Sequence, residues 1–222
     1  MEKVTGIGSS CQITNNPFLE RIDLPNNLVV NGALQILSNA SLTSISGVNN
    51  STNFGSISIF DNERLSSLTA FAQLQVTEGV SIVKSPLLKE ITNFGALTVS
   101  QQLVQIANND GLERVVFPKL AATALLSIRE NVMLMEVTID ANLTVADRLQ
   151  VTQNPNLSDC CIFKNLFDDN PLNGEARGEI IIAENTVVCE SVETIVSSCD
   201  DTGATGCEVL RIESNKTFIE FL

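Results

Sequence analysis

A period of about 23 residues runs through most of the chain, and it limits the fold more than any other feature. Ile13, Ile36, Ile59, Ile82, Ile106, Ile128 and Val151 share one phase, at steps of 23, 23, 23, 24, 22 and 23. Two residues before each of these anchors stand Cys11, Leu34, Ile57, Val80, Val104, Leu126 and Leu149. Three residues after each stand Asn16, Asn39, Asn62, Ser85, Asn109, Asn131 and Asn154. Three further on comes a leucine, from Leu19 to Leu157. An eighth copy, Ile180, Ile182, Asn185 and Val188, follows after a longer 31-residue step, and a candidate ninth starts at Leu210.

Two inward aliphatics separated by one residue alternate as a strand does. A single coil of this length cannot bury its apolar face, whereas stacked coils bury theirs against each other. The expected fold class is therefore mainly β: a right-handed parallel β-solenoid of about eight coils. At ~4.8 Å per coil the rod is roughly 38 Å long. Its domain covers residues 8–199, with 200–222 as a tail that starts a further coil or domain. The asparagines fall between buried slots. An amide carries donors and an acceptor, so it can bond the turn and its copy in the next coil. We expect an internal ladder of Asn16, Asn39, Asn62, Asn109, Asn131, Asn154 and Asn185. Ser85 breaks it once, with a shorter hydroxyl that calls for a bridging water. Pro17, Pro86 and Pro155 follow the ladder slot and hold the preceding residue extended.

The repeat Leu-x-Ile-x-x-Asn is the strand half of a leucine-rich repeat. Here two residues, not one, precede the next leucine, as in Asn62-Glu63-Arg64-Leu65. With "GSISIFDNERLSSLTAFAQL" and "GVSIVKSPLLKEITNFGAL", residues 10 to 195 resemble the receptor L domain family. "NPNLSDCCIFKNLF" and "GEIIIAENTVVCESVETI" look like the cysteine-bearing end of its bacterial secreted members. The resemblance implies a noncatalytic extracellular module.

Composition narrows function further. With 44% hydrophobic residues the chain is no disordered tail. The net charge is -13, and such a surface repels phosphate backbones, so no nucleic-acid partner is expected. No run of about 18 apolar residues suggests a membrane span. No apolar h-region marks a signal peptide in "MEKVTGIGSS". There is no His, which removes the usual Ser/His and Cys/His nucleophile systems. No cofactor motif occurs, and no metal site is expected. Asp168-Asp169 and Asp200-Asp201 read as solvated loop charge rather than calcium ligands. Sequons occur at Asn39, Asn49, Asn50, Asn142, Asn156 and Asn215, and a glycan on the ladder residue Asn39 would unfold its coil.

Five of the six cysteines, Cys160, Cys161, Cys189, Cys199 and Cys207, lie in the last third; the sixth is Cys11. An even, clustered set suggests disulfides and an oxidising compartment, extracellular or at the cell surface. Zinc is the competing reading, but neither a His nor a C-x-x-C pair supports it. Vicinal cysteines rarely bond each other. Cys160 and Cys161 should therefore reach different C-terminal partners, with Cys189 and Cys199 the candidates. Cys11 should be a buried thiol.

The outward slot between the paired core residues reads Gln12, Gln35, Ser58, Ser81, Gln105, Ser127, Gln150 and Ile181, without acids. The slot after the anchor holds Leu37, Phe60, Val83 and Arg129. Leu37, Phe60 and Val83 should form an exposed apolar stripe beside the Gln/Ser row, a candidate partner site. The candidate face is thus Gln35, Leu37, Ser58, Phe60, Ser81, Val83, Gln105 and Arg129. The expected function is recognition, adhesion or scaffolding at a cell surface, with a protein or glycan ligand. The alternatives are a carbohydrate-active parallel β-helix enzyme, for which the outward face lacks clustered carboxylates, and a structural spacer of a larger surface protein.

Overall fold

The computed structural model describes residues 6–167 and 174–199. The candidate ninth copy, Cys207, Asn215 and both Asp pairs lie outside these residues. The anchor slots lie on strands Cys11–Thr14, Leu34–Leu37, Asn53–Phe60, Val76–Val83, Val99–Ala107, Ala122–Arg129, Thr144–Thr152 and Glu179–Ala183. They pair in chain order as one parallel sheet. Register follows the repeat, with Leu34 beside Ile57 and Ile36 beside Ile59.

Each regular coil has three sides. After the anchor strand the chain turns and forms a second side, on Arg21–Leu24, Ser44–Gly47, Ser67–Ala70, Glu90–Ile91, Arg114–Phe117 and Glu136–Ile139. A third side leads back to the next anchor. It begins the longer strands, as where Asn53 pairs with Val76 before the main register resumes at Ser56 and Gly79. Eight anchor strands are present, and about six turns form the regular solenoid.

The core fills the rod. Ile36, Ile59, Ile82, Ile106 and Ile128 are fully buried, as are the leucines from Leu42 to Leu157. A row of phenylalanines, Phe71, Phe94 and Phe117, stacks beyond the second side, with centroids 5.6 and 5.4 Å apart. Phe54 meets Phe71 edge-on at 5.9 Å. Coils approach closely at small residues. A Cβ on Gly47, whose φ is +98°, would lie 1.8 Å from the Leu24 carbonyl oxygen. Glycine alone fits both the conformation and the space.

The C-terminal end is closed by a cap. A 3-10 helix, Cys161–Leu166, and a short α-helix, Val192–Ser198, bring Phe163, Leu166 and Ile195 over the open core. The Ser191 hydroxyl caps that helix by accepting from the Thr194 backbone N–H. Disulfides join Cys160 to Cys189 and Cys161 to Cys199, so each vicinal cysteine takes a different partner. Ion pairs such as Arg148–Glu179 at 2.7 Å link neighbouring coils at the surface.

Three expectations fail at the ends of the rod. Cys11 is a free thiol but only half-buried, because its strand is the sheet edge and, among the described residues, no coil covers its other side. Ile180, in a core slot by sequence, is 36% exposed on the last of the described strands, where no further described coil covers it. Asn16, the first rung, is exposed rather than internal, although its side-chain amide still joins the ladder by donating to Asn39 Oδ1 at 3.0 Å.

Candidate functional site

The outward face of the anchor sheet is held in place by the corner that ends each strand. One residue per coil there adopts a left-handed backbone: Asn15, Ser38, Asp61, Lys84, Asn108, Glu130, Gln153 and Glu184, all with φ between 53° and 58°. This turns the chain so that the next residue, the asparagine, points into the rod. Sequence reasoning missed this position. The signal was faint: Asn and Asp favour the left-handed region, but Lys84, Glu130, Gln153 and Glu184 share the slot.

The ladder then fixes the corner. The Asn39 side-chain amide donates to the Ile13 carbonyl at 2.9 Å and to Asn62 Oδ1 at 3.3 Å. Asn62 Oδ1 also accepts from the Asn39 backbone N–H at 3.1 Å. The same set recurs from Asn109 to Asn131, Asn154 and Asn185. From Asn16 to Asn154 each asparagine backbone carbonyl also accepts from the leucine three residues on, as in Asn62 to Leu65 at 3.0 Å, which closes a β-turn. Proline after the asparagine thus takes the second turn position, which suits its fixed φ. At the break, the Ser85 backbone N–H still donates to Asn109 Oδ1 at 2.9 Å. Its hydroxyl is the only buried side-chain polar atom without a partner among the described residues.

On this frame the two outward rows run across the sheet. In one, Gln12 donates to Gln35 at 2.7 Å and Ser81 to Gln105 at 3.2 Å, with Ser58 between the pairs. In the other, Leu37 is half-buried and Phe60 is 38% exposed, with the Lys84 ammonium 5.4 Å from its ring centroid. Val83 departs from expectation: at 8% exposure it is buried, so the apolar stripe is limited to Leu37 and Phe60. Its register neighbours are Phe60 and Ala107. A short β-branched side chain one strand spacing from each is covered by the row itself. Arg129, half-buried, turns to its neighbour Glu130 in an ion pair.

These rows carry no charge through the first five coils; Arg129 is the first charged residue in them. Charge begins at the corners, with Asp61 and Lys84, and is dense on the second side. There Lys89 pairs with Glu113 at 2.9 Å and Arg114 with Glu136 at 3.1 Å. A second candidate lies at the left-handed corner of the later coils. It is an open groove of about 450 Å³ lined by Asn108, Asp110, Glu130, Val132, Gln153, Pro155 and Glu184. Its acids are partly engaged, since Asn108 donates to Glu130 at 2.5 Å. Among the described residues no group of three or more Cys, Asp or Glu side chains is placed to hold a metal, and no helix is long and apolar enough to cross a membrane.

Comparisons with protein-family models, curated proteins and solved structures find no match to this chain. The fold and site define it as a parallel β-solenoid with a disulfide-closed end and two outward rows that are uncharged over the first five coils.

Proposed function

We propose that the chain is a noncatalytic recognition module of the receptor L domain type, working outside the cell, that binds a protein or glycan partner through the outward face of its anchor sheet. The observation that carries this reading is the contrast in charge. A chain of net charge -13 presents two adjoining rows of amides, hydroxyls and apolar groups without a charge over five coils. Solvent alone does not call for that pattern, because a solvated face is ordinarily rich in charge. The stacked sheet makes the face rigid, so a partner need not order it on binding. The absence of clustered carboxylates from these rows favours recognition over hydrolysis. The two disulfides of the cap support an oxidising compartment.

The test compares the protein with a Phe60→Glu, Ser81→Glu double variant on arrays of glycans and cell-surface proteins. At least one binder should be lost in the double variant and kept in Thr69→Glu, which places a charge on the exposed second side. Binding indifferent to the face variant, or no binder at all, would sink the reading.

A further inference from the structure

Resting on that recognition reading, we infer that the partner is a neutral, hydroxyl-rich glycan chain lying across the first five coils. Three observations lead there. The first is chemical type. Ser58, Ser81, Gln35 and Gln105 present hydroxyls and amides, which both donate and accept. Where they bond each other, as Ser81 does to Gln105, the amide nitrogen stays free to donate outward. Sugar hydroxyls also donate and accept, so such a row can match them in either direction. Protein interfaces have another composition: they are depleted in Ser and enriched in Tyr, Trp, Phe, Met and Arg, of which these rows hold only Phe60 over the first five coils.

The second observation is the ring. Phe60 stands beside the polar row, 38% exposed, with the flexible Lys84 side chain holding its ammonium over the ring, 5.4 Å from the centroid. With Leu37 next to it in register, the ring forms a small apolar platform. That suits the C–H face of a pyranose and is too small for the core of a protein interface. The third is charge. Uronate or sulfate groups would meet the field of a -13 chain, which the rows themselves do not offset over the first five coils and the Lys84 ammonium on the Phe60 ring offsets only in part. A neutral chain meets no such penalty.

Affinity electrophoresis in gels containing hydroxyethylcellulose, galactomannan, laminarin or polygalacturonate tests this. At least one neutral polymer should retard the protein, and polygalacturonate should not. Phe60→Ala should weaken the retardation about fivefold to tenfold, the scale of one lost ring contact. Phe18→Ala should leave it unchanged, because Phe18 is 91% exposed outside the two rows. Lys84→Ala should keep or raise it by freeing the ring. Absence of retardation in every neutral gel overturns the inference. So does equal loss with Phe18→Ala, loss with Lys84→Ala, or retardation by polygalacturonate alone. If the arrays give a protein partner lost in the Phe60→Glu, Ser81→Glu double variant, or if that variant abolishes self-association in sedimentation, the sheet face remains the recognition surface and the glycan inference falls alone.

Discussion

Two columns cross the interior and do their work differently, the polar one over most of the rod and the aromatic one over its middle coils. At one corner the asparagines hand hydrogen bonds from coil to coil, each Oδ1 accepting from the rung before it. At another, Phe71, Phe94 and Phe117 pack ring on ring, and Phe54 meets Phe71 edge-on. The polar column fails once, at Ser85, between Asn62 and Asn109. The aromatic column spans that coil without interruption: Phe94 belongs to the same coil as Ser85 and contacts rings on both sides. A directional ladder is only as continuous as its residue type, because a hydroxyl cannot reach where an amide reaches. Ring packing has no such requirement. It tolerates the tilt of 31° between Phe94 and Phe117. The contrast teaches that this solenoid stays coupled through its weakest polar rung by apolar contact.

The comparison breaks most visibly at Phe94. Phe94→Ala should cost about 3–5 kcal/mol in denaturant unfolding. Hydrogen exchange should rise in the coils on both sides, since each coil is held by its neighbours. Exchange confined to the mutated coil would show that the aromatic column does not bridge the break. A smaller loss, about 1–3 kcal/mol, is expected for Asn131→Ala, which leaves buried groups such as the Ile106 carbonyl without their partner. Asn62→Ala should cost less than Asn131→Ala by roughly 1 kcal/mol, because Asn62 faces the break and makes no side-chain bond forward. Equal melting curves for these two variants would mean that the forward bond adds nothing.

Repair of the ladder sharpens the comparison from the other side. In Ser85→Asn, the new Oδ1 is placed to accept from Asn62 and the new amide to reach the Ile59 carbonyl, as Asn62 reaches Ile36 at 2.9 Å. A gain of about 1 kcal/mol would raise Tm by about 2–4 °C. A lower Tm would show that the coil at Ser85 has no room for an amide. The smallest effect belongs to the outward face: Ser58→Ala should stay within about 0.5 kcal/mol. A loss as large as that of Asn62→Ala would contradict the separation of inward from outward slots.

Much of this architecture is legible in the residues. Ile59 and Ile57 are inward because a strand alternates, and their copies in coil after coil predict the stacking. Asn62 sits at a fixed distance from the anchor, and its buried, bonded position follows from that spacing. Vicinal cysteines rarely pair with each other, so Cys160 and Cys161 are expected to reach different partners, with Cys189 and Cys199 the candidates, and the bonds form there. The left-handed corner was not legible, because Lys84 and Glu130 carry no local preference for it. The stacked neighbours impose it.

Direction along the chain is thus what the sequence by itself determined: the repeat length, which side chains point inward, the polar rung and the vicinal-cysteine cap all follow from local alternation and spacing. Accessibility was decided only by tertiary structure. Val83 and Phe60 share one slot and point the same way, yet one is buried and the other is 38% exposed. Ile180 repeats Ile57, yet it lies open at the end of the sheet. The reason is that a side chain's exposure depends on the residues one coil away on either side. Their size and presence are properties of the stack, not of the strand that carries the side chain.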